Sequence, residues 1–416
     1  MPTNIGDGGI TTEGIARIDK ADIERLHQHK LQLDDIVFSR RGDVTKNALV
    51  RIHEVGWLCG TGCLKVRLGS QRIANAKFIS YCLRLPAAKE WLVRHAVGAT
   101  MPNLNTGILS AIPITLPPLS SQLEIAAALG TIDDRIALLR ETNTTLEAIA
   151  QALFKSWFVD FDPVRAKMEG RPPEGMDEAT AALFPSAFEE SALGLIPKGW
   201  TASTLGTLCE LTKGCSYKGE GLSETNGAYM FNLGCFNAQR VFASEKLKRY
   251  VGEYRPRHEV VPGDLIIANT DMTQARDILG RPALVPKGFE PGFISHHVYR
   301  VTIKDSDVRR SQALRQFLFF TFREPMFRER AIGFATGTTV LALPATAVLE
   351  CPTHCPLPSV LLAWSEVVTP LFDAIQGNER IAERLGDIRD TLLPRLISGQ
   401  LRLPEAQAEL EAVHAF

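Results

Sequence analysis

The sequence lacks the short motifs on which most enzyme classes depend. It contains no GxxxxGK loop for a nucleotide phosphate, no GxGxxG after a strand for a dinucleotide, and neither HExxH nor GxSxG. Asp264 follows the turn residues VPG, so it is expected in a turn and not in a nuclease site with Asp271. His296 and His297 are expected side by side on a strand, and therefore on opposite faces, a poor geometry for joint ligation. These absences argue against a catalytic role.

Disulfide, metal and membrane signals are absent as well. The eight cysteines are scattered through apolar surroundings, which is typical of reduced thiols. Cys351, His354 and Cys355 lie close together, but no second ligand pair follows at the spacing of a zinc site, so no metal is expected. The start MPTNIGDGGITTEGI is not a signal peptide, and no apolar run reaches the about 18 residues of a membrane span. The sequence predicts a cytoplasmic protein.

The composition indicates a globular protein of more than one domain. The 416 residues exceed one ordinary core, and 45% hydrophobic with 22% charged residues is the usual balance of a globular protein. The net charge is −1, so a nucleic-acid partner has to be bound by local basic clusters and not by a globally basic surface.

An internal repeat relates two halves of the chain at an offset of 239 positions without a gap. Shared helical periodicity explains matched leucines, but it does not explain matched glycine, threonine and proline before the helices, so the repeat indicates a duplication. The matched pairs include Phe78 with Phe317, Pro86 with Pro325, Gly98 with Gly337, Thr100 with Thr339, Pro113 with Pro352 and Pro117 with Pro356.

Each half ends in a long amphipathic helix whose apolar residues follow the spacing of a coiled-coil seam. The first seam contains Ile125, Leu129, Ile132, Ile136, Leu139, Asn143, Leu146 and Leu153, and the second contains Leu371, Ile375, Asn378, Leu385 and Leu392. Ser121 with Glu124 predicts a capping box at the start of the first helix. In the second, Pro370 is expected to kink or delay the helix, Arg389 to interrupt the seam, and Gly399 to end the helix.

The two helices are predicted to pair with each other in antiparallel orientation. From Ser121 to Phe158 the first helix would be about 57 Å long, at about 1.5 Å per residue, and its apolar stripe must be buried. Antiparallel pairing brings Asn143 and Asn378 face to face. Parallel pairing leaves each amide opposite an apolar residue, at a cost of about 1–3 kcal/mol for an unpaired buried group.

The remaining sequence predicts two globular domains of mixed strands and helices. Short β-type runs such as GDLIIANT and HHVYRVTI precede a helix, and DDIVFSRRG and GCLKVRL repeat that order in the first half. The fold class is therefore α+β, with a pseudo-twofold internal repeat. The predicted boundaries are a first domain over 1–116, a long helix over 117–158, a linker over 159–195, a second domain over 196–355, a second long helix over 356–400 and a tail over 401–416.

Basic residues cluster in loops of both predicted domains. Loops that mix Arg, Lys, Asn and Tyr contact phosphates and base edges of DNA, although a single cluster is more often a solvated surface. One cluster follows a strand in each domain, and this parallel favours DNA binding. The candidates are Arg40, Arg41 and Lys46 in the first domain, and Lys213, Tyr217, Lys218, Arg276 and Arg281 in the second.

The segments GATMPNLNTGILSAIPITLPPLSSQ, TLEAIAQALFKSWFVDFDPVRAKMEGR, IPKGWTASTLG and TLLPRLISGQLRL carry a resemblance that covers essentially the whole chain. They resemble the specificity subunit of type I restriction-modification systems. The resemblance implies a non-catalytic protein with two target recognition domains, each for one half of a split double-stranded DNA sequence. The paired helices would set the gap and dock two methyltransferase subunits. The resemblance implies S-adenosylmethionine, ATP and Mg²⁺ in the methyltransferase and restriction subunits, and no cofactor on this chain.

The first domain departs from the pattern of the second. Asp264 lies 64 positions after Trp200, whereas its counterpart Asp35 lies only 34 residues after Met1. The first recognition domain is therefore expected to lack its opening part. The alternative to DNA recognition is a coiled-coil adaptor, or a degenerate remnant without specific DNA binding.

Overall fold

The computed structural model describes residues 1–402 and 405, apart from 7, 13, 70–72, 99, 238–239, 245 and 274–275. The chain divides into two compact units, one made of Met1–Leu138 with Ile381–Phe416 and the other of Leu139–Arg380. Both unit boundaries fall inside the long helices, so each unit contains a part of both helices. The predicted tail over 401–416 lies almost entirely outside the described residues.

The first unit is built on a small antiparallel sheet of three strands, in which Ile36–Ser39 lies between Asn47–Leu49 and Cys63–Val66. All four residues of the central strand, IVFS, are buried, which suits a strand with a neighbour on each side. The elements are α1 (Lys20–Arg25), β1 (Ile36–Ser39), β2 (Asn47–Leu49), β3 (Cys63–Val66), α2 (Ala76–Cys82), α3 (Pro86–His95), α4 (Thr106–Ser110) and the long helix α5 (Leu119–Phe158).

The second unit contains more strands and one large aromatic core. Its elements are α6 (Asp162–Met168), α7 (Glu178–Ala182), β4 (Phe188–Ser191), β5 (Gly194–Pro197), β6 (Thr201–Thr204), α8 (Leu205–Leu208), β7 (Cys209–Lys213), β8 (Leu222–Ser223), β9 (Ala228–Phe231), β10 (Lys248–Tyr250), β11 (Glu259–Val260), β12 (Leu265–Ala268), β13 (Thr270–Asp271), β14 (Pro282–Leu284), β15 (Gly292–Ile294), β16 (Val298–Ile303), α9 (Val308–Thr321), α10 (Pro325–Gly333), β17 (Leu341–Ala342), α11 (Ala345–Leu349), β18 (Pro352–Cys355) and the long helix α12 (Pro358–Ile397).

Two sheets organise the second unit. One has the order β14-β12-β16-β7 and is antiparallel throughout, and the other has the order β11-β15-β9-β10-β8 with β15 parallel to β9. The core joins both long helices to α9. Phe154 of α5 lies 5.4 Å from Phe320 of α9 and 5.9 Å from Trp364 of α12, measured between ring centroids. Burial of these large side chains is a strong source of stability for the unit.

The internal repeat is confirmed by matching backbone features in each half. Pro86 and Pro325 are the first residues of α3 and α10, the helical position that tolerates a missing N–H. Gly98 and Gly337 both have a positive φ, 110° and 98°. A Cβ atom at either glycine would lie within 2.7 Å of a backbone oxygen, so both turns require glycine.

The antiparallel pairing of the long helices is confirmed within the second unit. Asn378 donates a hydrogen bond from Nδ2 to Oδ1 of Asn143 at 2.9 Å, and Asn143 donates from Nδ2 to the Ile375 carbonyl at 3.1 Å. Among the predicted seam residues, Ile125, Leu129, Ile132, Ile136, Leu139, Ile375 and Leu392 are buried. Leu146, Leu153, Leu371 and Leu385 are half-buried.

We expect Asn143→Leu to destabilise the second unit by about 1–3 kcal/mol, because the Asn378 amide then faces an apolar side chain. The double variant Asn143→Leu/Asn378→Leu should recover that loss or exceed wild-type stability, since a matched polar layer costs a coiled coil stability. Denaturant unfolding of the three proteins measures both effects. If Asn143→Leu were as stable as the wild type, the Asn143–Asn378 hydrogen bond would not contribute to stability.

Three predictions about the helix ends and interior are tested directly. The predicted capping box is wrong, because α5 already begins at Leu119 and Ser121 lies inside its first turn. Pro117 and Pro118 directly precede the helix. A delay at Pro370 is also wrong, since α12 runs without interruption from Pro358. The predicted stop is confirmed by Gly399, whose φ is 75° two residues beyond the last helical residue.

Arg389 does not interrupt the seam in the way that the sequence suggests. Its Nη1 lies 2.7 Å from Oδ1 of Asp133 on α5, and Nη1 of Arg84 lies 3.0 Å from the other oxygen of that carboxylate. The repeat places Arg323 at the position of Arg84, and in the second unit Arg323 lies 3.2 Å from the buried carboxylate of Glu147. In each unit the matching arginine, which lies in the turn between two domain helices, therefore joins that turn to α5.

The segment predicted as a linker over 159–195 is packed. It contains α6, α7 and strand β4 of the hairpin β4–β5, and Phe161, Val164 and Phe184 are buried. Phe161 lies 5.6 Å from the Trp200 ring, measured between centroids. The linker was predicted from the many Pro, Gly and charged residues of this segment, but its few large apolar residues pack against the second domain.

The two sheets that share a plan differ by one strand. Asp35 and Asp264 each accept a backbone N–H from three residues earlier, at 2.8 Å and 3.0 Å, directly before β1 and β12. In the second unit β16 has β7 along its outer side over five residue pairs. Over the described residues, β3 has no such neighbour. Among the described residues, the position that β7 occupies beside β16 therefore has no strand beside β3.

Candidate nucleic-acid interface

Several loops meet at one edge of the four-stranded sheet in the second unit. Lys213, the last residue of β7, pairs with Tyr299 near the start of β16, and Ala268, the last residue of β12, pairs with Val298. The loops after β7 and β12, the turn before β16 and the chain entering β14 therefore lie along the same edge. We call this edge, with residues 213–218, 269–273, 276–281 and 295–297, the loop edge.

All five candidates predicted for the second domain belong to the loop edge. Lys213 and Lys218 are exposed, and Nζ of Lys218 lies 3.9 Å from a Glu220 carboxylate oxygen. The Tyr217 side chain is half-buried, with its ring 6.2 Å from that of Tyr250. Two exposed lysines beside an aromatic ring suit contacts to a phosphate backbone.

The loop that carries Arg276 is fixed by hydrogen bonds to buried and half-buried side chains. Asp271 is fully buried, and its carboxylate accepts backbone hydrogen bonds from Thr273 at 2.7 Å and Ile278 at 3.0 Å. Arg328 of α10 donates to the Arg276 carbonyl at 2.9 Å. Arg276 itself has a φ of 56°, a conformation that only a well-braced loop imposes on arginine.

Arg281 is placed less favourably for a ligand than its sequence position suggests. Its Nε donates to the Asp277 carbonyl at 2.6 Å, and its side chain is half-buried. Burial, together with the nearby Arg323 guanidinium, lowers the pKa of Arg281. The Arg281 side chain therefore braces the loop.

The prediction for the two adjacent histidines is wrong. β15 ends at Ile294 and β16 begins at Val298, so His296 and His297 occupy a turn between strands and not a strand. The turn is closed by a hydrogen bond from Val298 N to Ser295 O at 2.9 Å. Their ring centroids lie only 3.8 Å apart, which places both imidazoles together at the loop edge.

The two imidazoles differ in their partners. Nδ1 of His297 lies 2.8 Å from the Thr270 hydroxyl, whereas Nδ1 of His296 has no hydrogen-bond partner among the described residues. The His296 ring lies 5.8 Å from the Tyr217 ring. Burial lowers the pKa of both histidines, and the Lys213 ammonium lowers it further. These residues were missed because their pairing depends on a turn that no sequence motif announces.

The first unit has a corresponding loop edge. Arg40, Arg41 and Lys46 lie in the loop between β1 and β2, and Nζ of Lys46 lies 3.9 Å from an Asp43 carboxylate oxygen. Arg40 N donates to the Gly62 carbonyl at 2.9 Å. In the second unit Asn269 N donates to the His297 carbonyl at the same distance, so Gly62 occupies the position of His297.

Two negative findings apply to the described part of the chain. There, no group of three or more His, Cys, Asp or Glu residues is arranged to hold a metal ion. Within the same residues, no helix is both long enough and apolar enough to cross a membrane.

Comparison with known proteins gives one consistent family. Residues 7–148 match the family described as type I restriction modification DNA specificity domain. The chain is similar to the HindI specificity subunit of Haemophilus influenzae, with 25% identity over 358 residues that cover 74% of this chain and 73% of the relative. It is also similar to the MjaIX specificity subunit of Methanocaldococcus jannaschii, with 23% identity over 338 residues that cover 79% and 70%.

A solved structure is similar along most of the chain. It is the S subunit of a type I restriction-modification system from M. genitalium, with 16% identity and a TM-score of 0.47 over 95% of this chain and 91% of that chain.

Proposed function

We propose that this chain, which is similar to the specificity subunits of type I restriction-modification systems, recognises a split DNA target, with one loop edge for each half-site. The chain is the non-catalytic DNA recognition subunit of such a system. The observation that carries the proposal is the repetition of the loop edge. Each unit presents exposed cationic residues at the same end of a related sheet, Arg41 in one and Lys213 in the other.

The long helices supply the second part of the proposal. Helices α5 and α12 would set the gap between the half-sites and dock two methyltransferase subunits, one for each half of the repeat. Restriction subunits would join the same complex, and S-adenosylmethionine, ATP and Mg²⁺ would be bound by those partners. The antiparallel Asn143–Asn378 layer supports a helix pair with a defined register, which a spacer requires.

The proposal is tested by co-expressing the chain with its methyltransferase subunit and mapping methylated adenines across the host genome. We expect a split, asymmetric motif, because the two loop edges carry different residues. A symmetric motif would mean that two copies of the chain recognise DNA through their second units alone. No motif at all would favour an adaptor or a remnant without specific DNA binding.

Matched variants assign each half-site to one unit. Arg41→Ala should weaken methylation without a change in the second half-site, and Lys213→Ala should do so without a change in the first. A contact to phosphate should lower affinity for all sequences alike and reduce the salt dependence by about one charge. A changed second half-site with Arg41→Ala, or a changed first half-site with Lys213→Ala, would contradict the assignment.

A further inference from the structure

We propose that the turn formed by His296 and His297 contacts base edges and determines the sequence of the second half-site. This inference rests on the proposed function and names the group that discriminates between bases in the second unit. The lysines and Arg276 around the turn would contact phosphates and position it.

The position of the turn is the first argument. It lies directly before β16, a central strand whose neighbours β12 and β7 lead into the two other loops of the loop edge. Basic residues therefore lie on both sides of the turn, with Lys213 in one loop and Arg276 in the other. Phosphate contacts on both sides of a central element would hold that element over the bases.

The rigidity of the turn is the second argument. His296 N donates to the Cys215 carbonyl at 2.8 Å, and Asn269 N donates to the His297 carbonyl at 2.9 Å. The Asn269 side chain donates from Nδ2 to the His296 carbonyl at 3.1 Å. The backbone of the turn is thus tied to two neighbouring loops, which fixes where the imidazoles start. Preorganised groups lose less entropy when they bind.

The chemistry of the side chains is the third argument. Burial and the Lys213 ammonium lower the pKa of both histidines, so the neutral form is favoured. Nδ1 of His297 is paired with Thr270 and Nδ1 of His296 is buried, so each neutral imidazole offers its Nε2 to DNA, as donor or acceptor according to the tautomer. Each base pair presents its own pattern of donors and acceptors in the major groove. A contact to phosphate would favour the charged imidazole instead.

The comparison between the two units is the fourth argument that this turn discriminates between bases. The positions that correspond to His296 and His297 hold Thr61 and Gly62 in the first unit, so that turn presents no imidazole. The residue directly after β1 or β12, Arg40 or Asn269, donates the same backbone hydrogen bond to this turn in both units. The frame is therefore repeated while the two central side chains differ, as expected for residues that distinguish two half-sites.

The test is methylation mapping of the complete complex with His296→Ala and His297→Ala. We expect the first half-site and the gap to stay unchanged, while one or two positions of the second half-site lose their base preference by roughly 5- to 150-fold. The unchanged first half-site serves as an internal control for folding and assembly. Lys218→Ala, outside the turn, should weaken methylation at all sequences alike.

Conservative variants cover the case in which an alanine variant abolishes methylation. His296→Gln and His297→Gln keep a donor and an acceptor, and an altered second half-site in either would support the proposal. If all variants that methylate keep the wild-type motif with wild-type fidelity, the turn does not discriminate between bases and the proposal is overturned. If the wild-type complex itself shows no motif, the proposed function fails. If the wild type shows a split motif that the variants keep, only this inference fails, so the two failures are distinguishable.

Discussion

Inserting seven residues into each long helix, after Leu139 and after Ile381, is expected to widen the gap in the DNA target by about three base pairs. A heptad keeps the apolar seam in phase, and seven residues add about 10 Å at about 1.5 Å per residue. This length equals about three steps of 3.4 Å along DNA. Each insertion lies one residue from a boundary between the units, so the packing inside each unit is largely kept. Methylation mapping of the complex measures the gap directly.

A single insertion is the matched control for this experiment. A heptad in α5 alone leaves seven residues without a counterpart in the antiparallel pair that Asn143 and Asn378 define. We expect that variant to lose thermal stability and methylation, whereas the double insertion keeps both. An unchanged gap in the double variant would show that the helix pair does not set the spacing. A coiled-coil adaptor predicts no sequence-specific change at all.

Asp133→Ala is expected to destabilise the first unit by about 3–5 kcal/mol. The carboxylate is only 13% exposed and is bound by Arg84 and Arg389, with a hydrogen bond from the Tyr81 hydroxyl at 2.8 Å. Removing it leaves two partly buried guanidinium groups without their shared anion, and breaking a buried ion pair from one side costs this much. Thermal or denaturant unfolding of the full chain measures the loss.

The neighbouring Asp134→Ala variant is the control, because Asp134 is exposed on the same helix and should change stability by less than about 0.5 kcal/mol. Equal unfolding curves for Asp133→Ala and wild type would refute the role of the ion pair.

The same ion pair should give the first unit a defined pH dependence. Burial alone would raise the pKa of Asp133, but Arg84, Arg389 and Tyr81 together hold it below its ordinary value. A carboxyl group with a lowered pKa in the folded state stabilises the fold at pH values above about 4, and this contribution is lost as the pH falls further. The stability difference between wild type and Asp133→Ala should therefore be constant near neutral pH and shrink in acid.

The antiparallel helix pair could be predicted because its signals are local and periodic. The seam spacing locates the helices, and the two asparagines determine their direction, since an amide buried opposite a leucine is costly. Arg389 was misjudged for the opposite reason. Its partner Asp133 is 256 positions away, and an arginine in an apolar seam looks like a defect until the carboxylate opposite is known.

The candidate interface was likewise predicted only where its signals are local in sequence. Basic clusters after predicted strands are visible in the sequence, and their loops do share one edge of the sheet. The histidine turn was missed because a shift of two residues at a strand end changes two side chains from opposite faces to neighbours. Arg281 looked available because sequence does not show the loop that it braces.

The sequence by itself determined the duplication, the seam of the long helices, their antiparallel direction and the glycine turns that both halves repeat. Each of these depends on residues close in sequence or on a strict offset, so a single chain is enough to detect it. Only the tertiary structure decided that 159–195 packs as part of the second domain, that Arg389 is paired, and that His296 and His297 meet at the loop edge. Those outcomes depend on contacts between residues far apart in the chain, whose free energies exist only once the fold has brought them together.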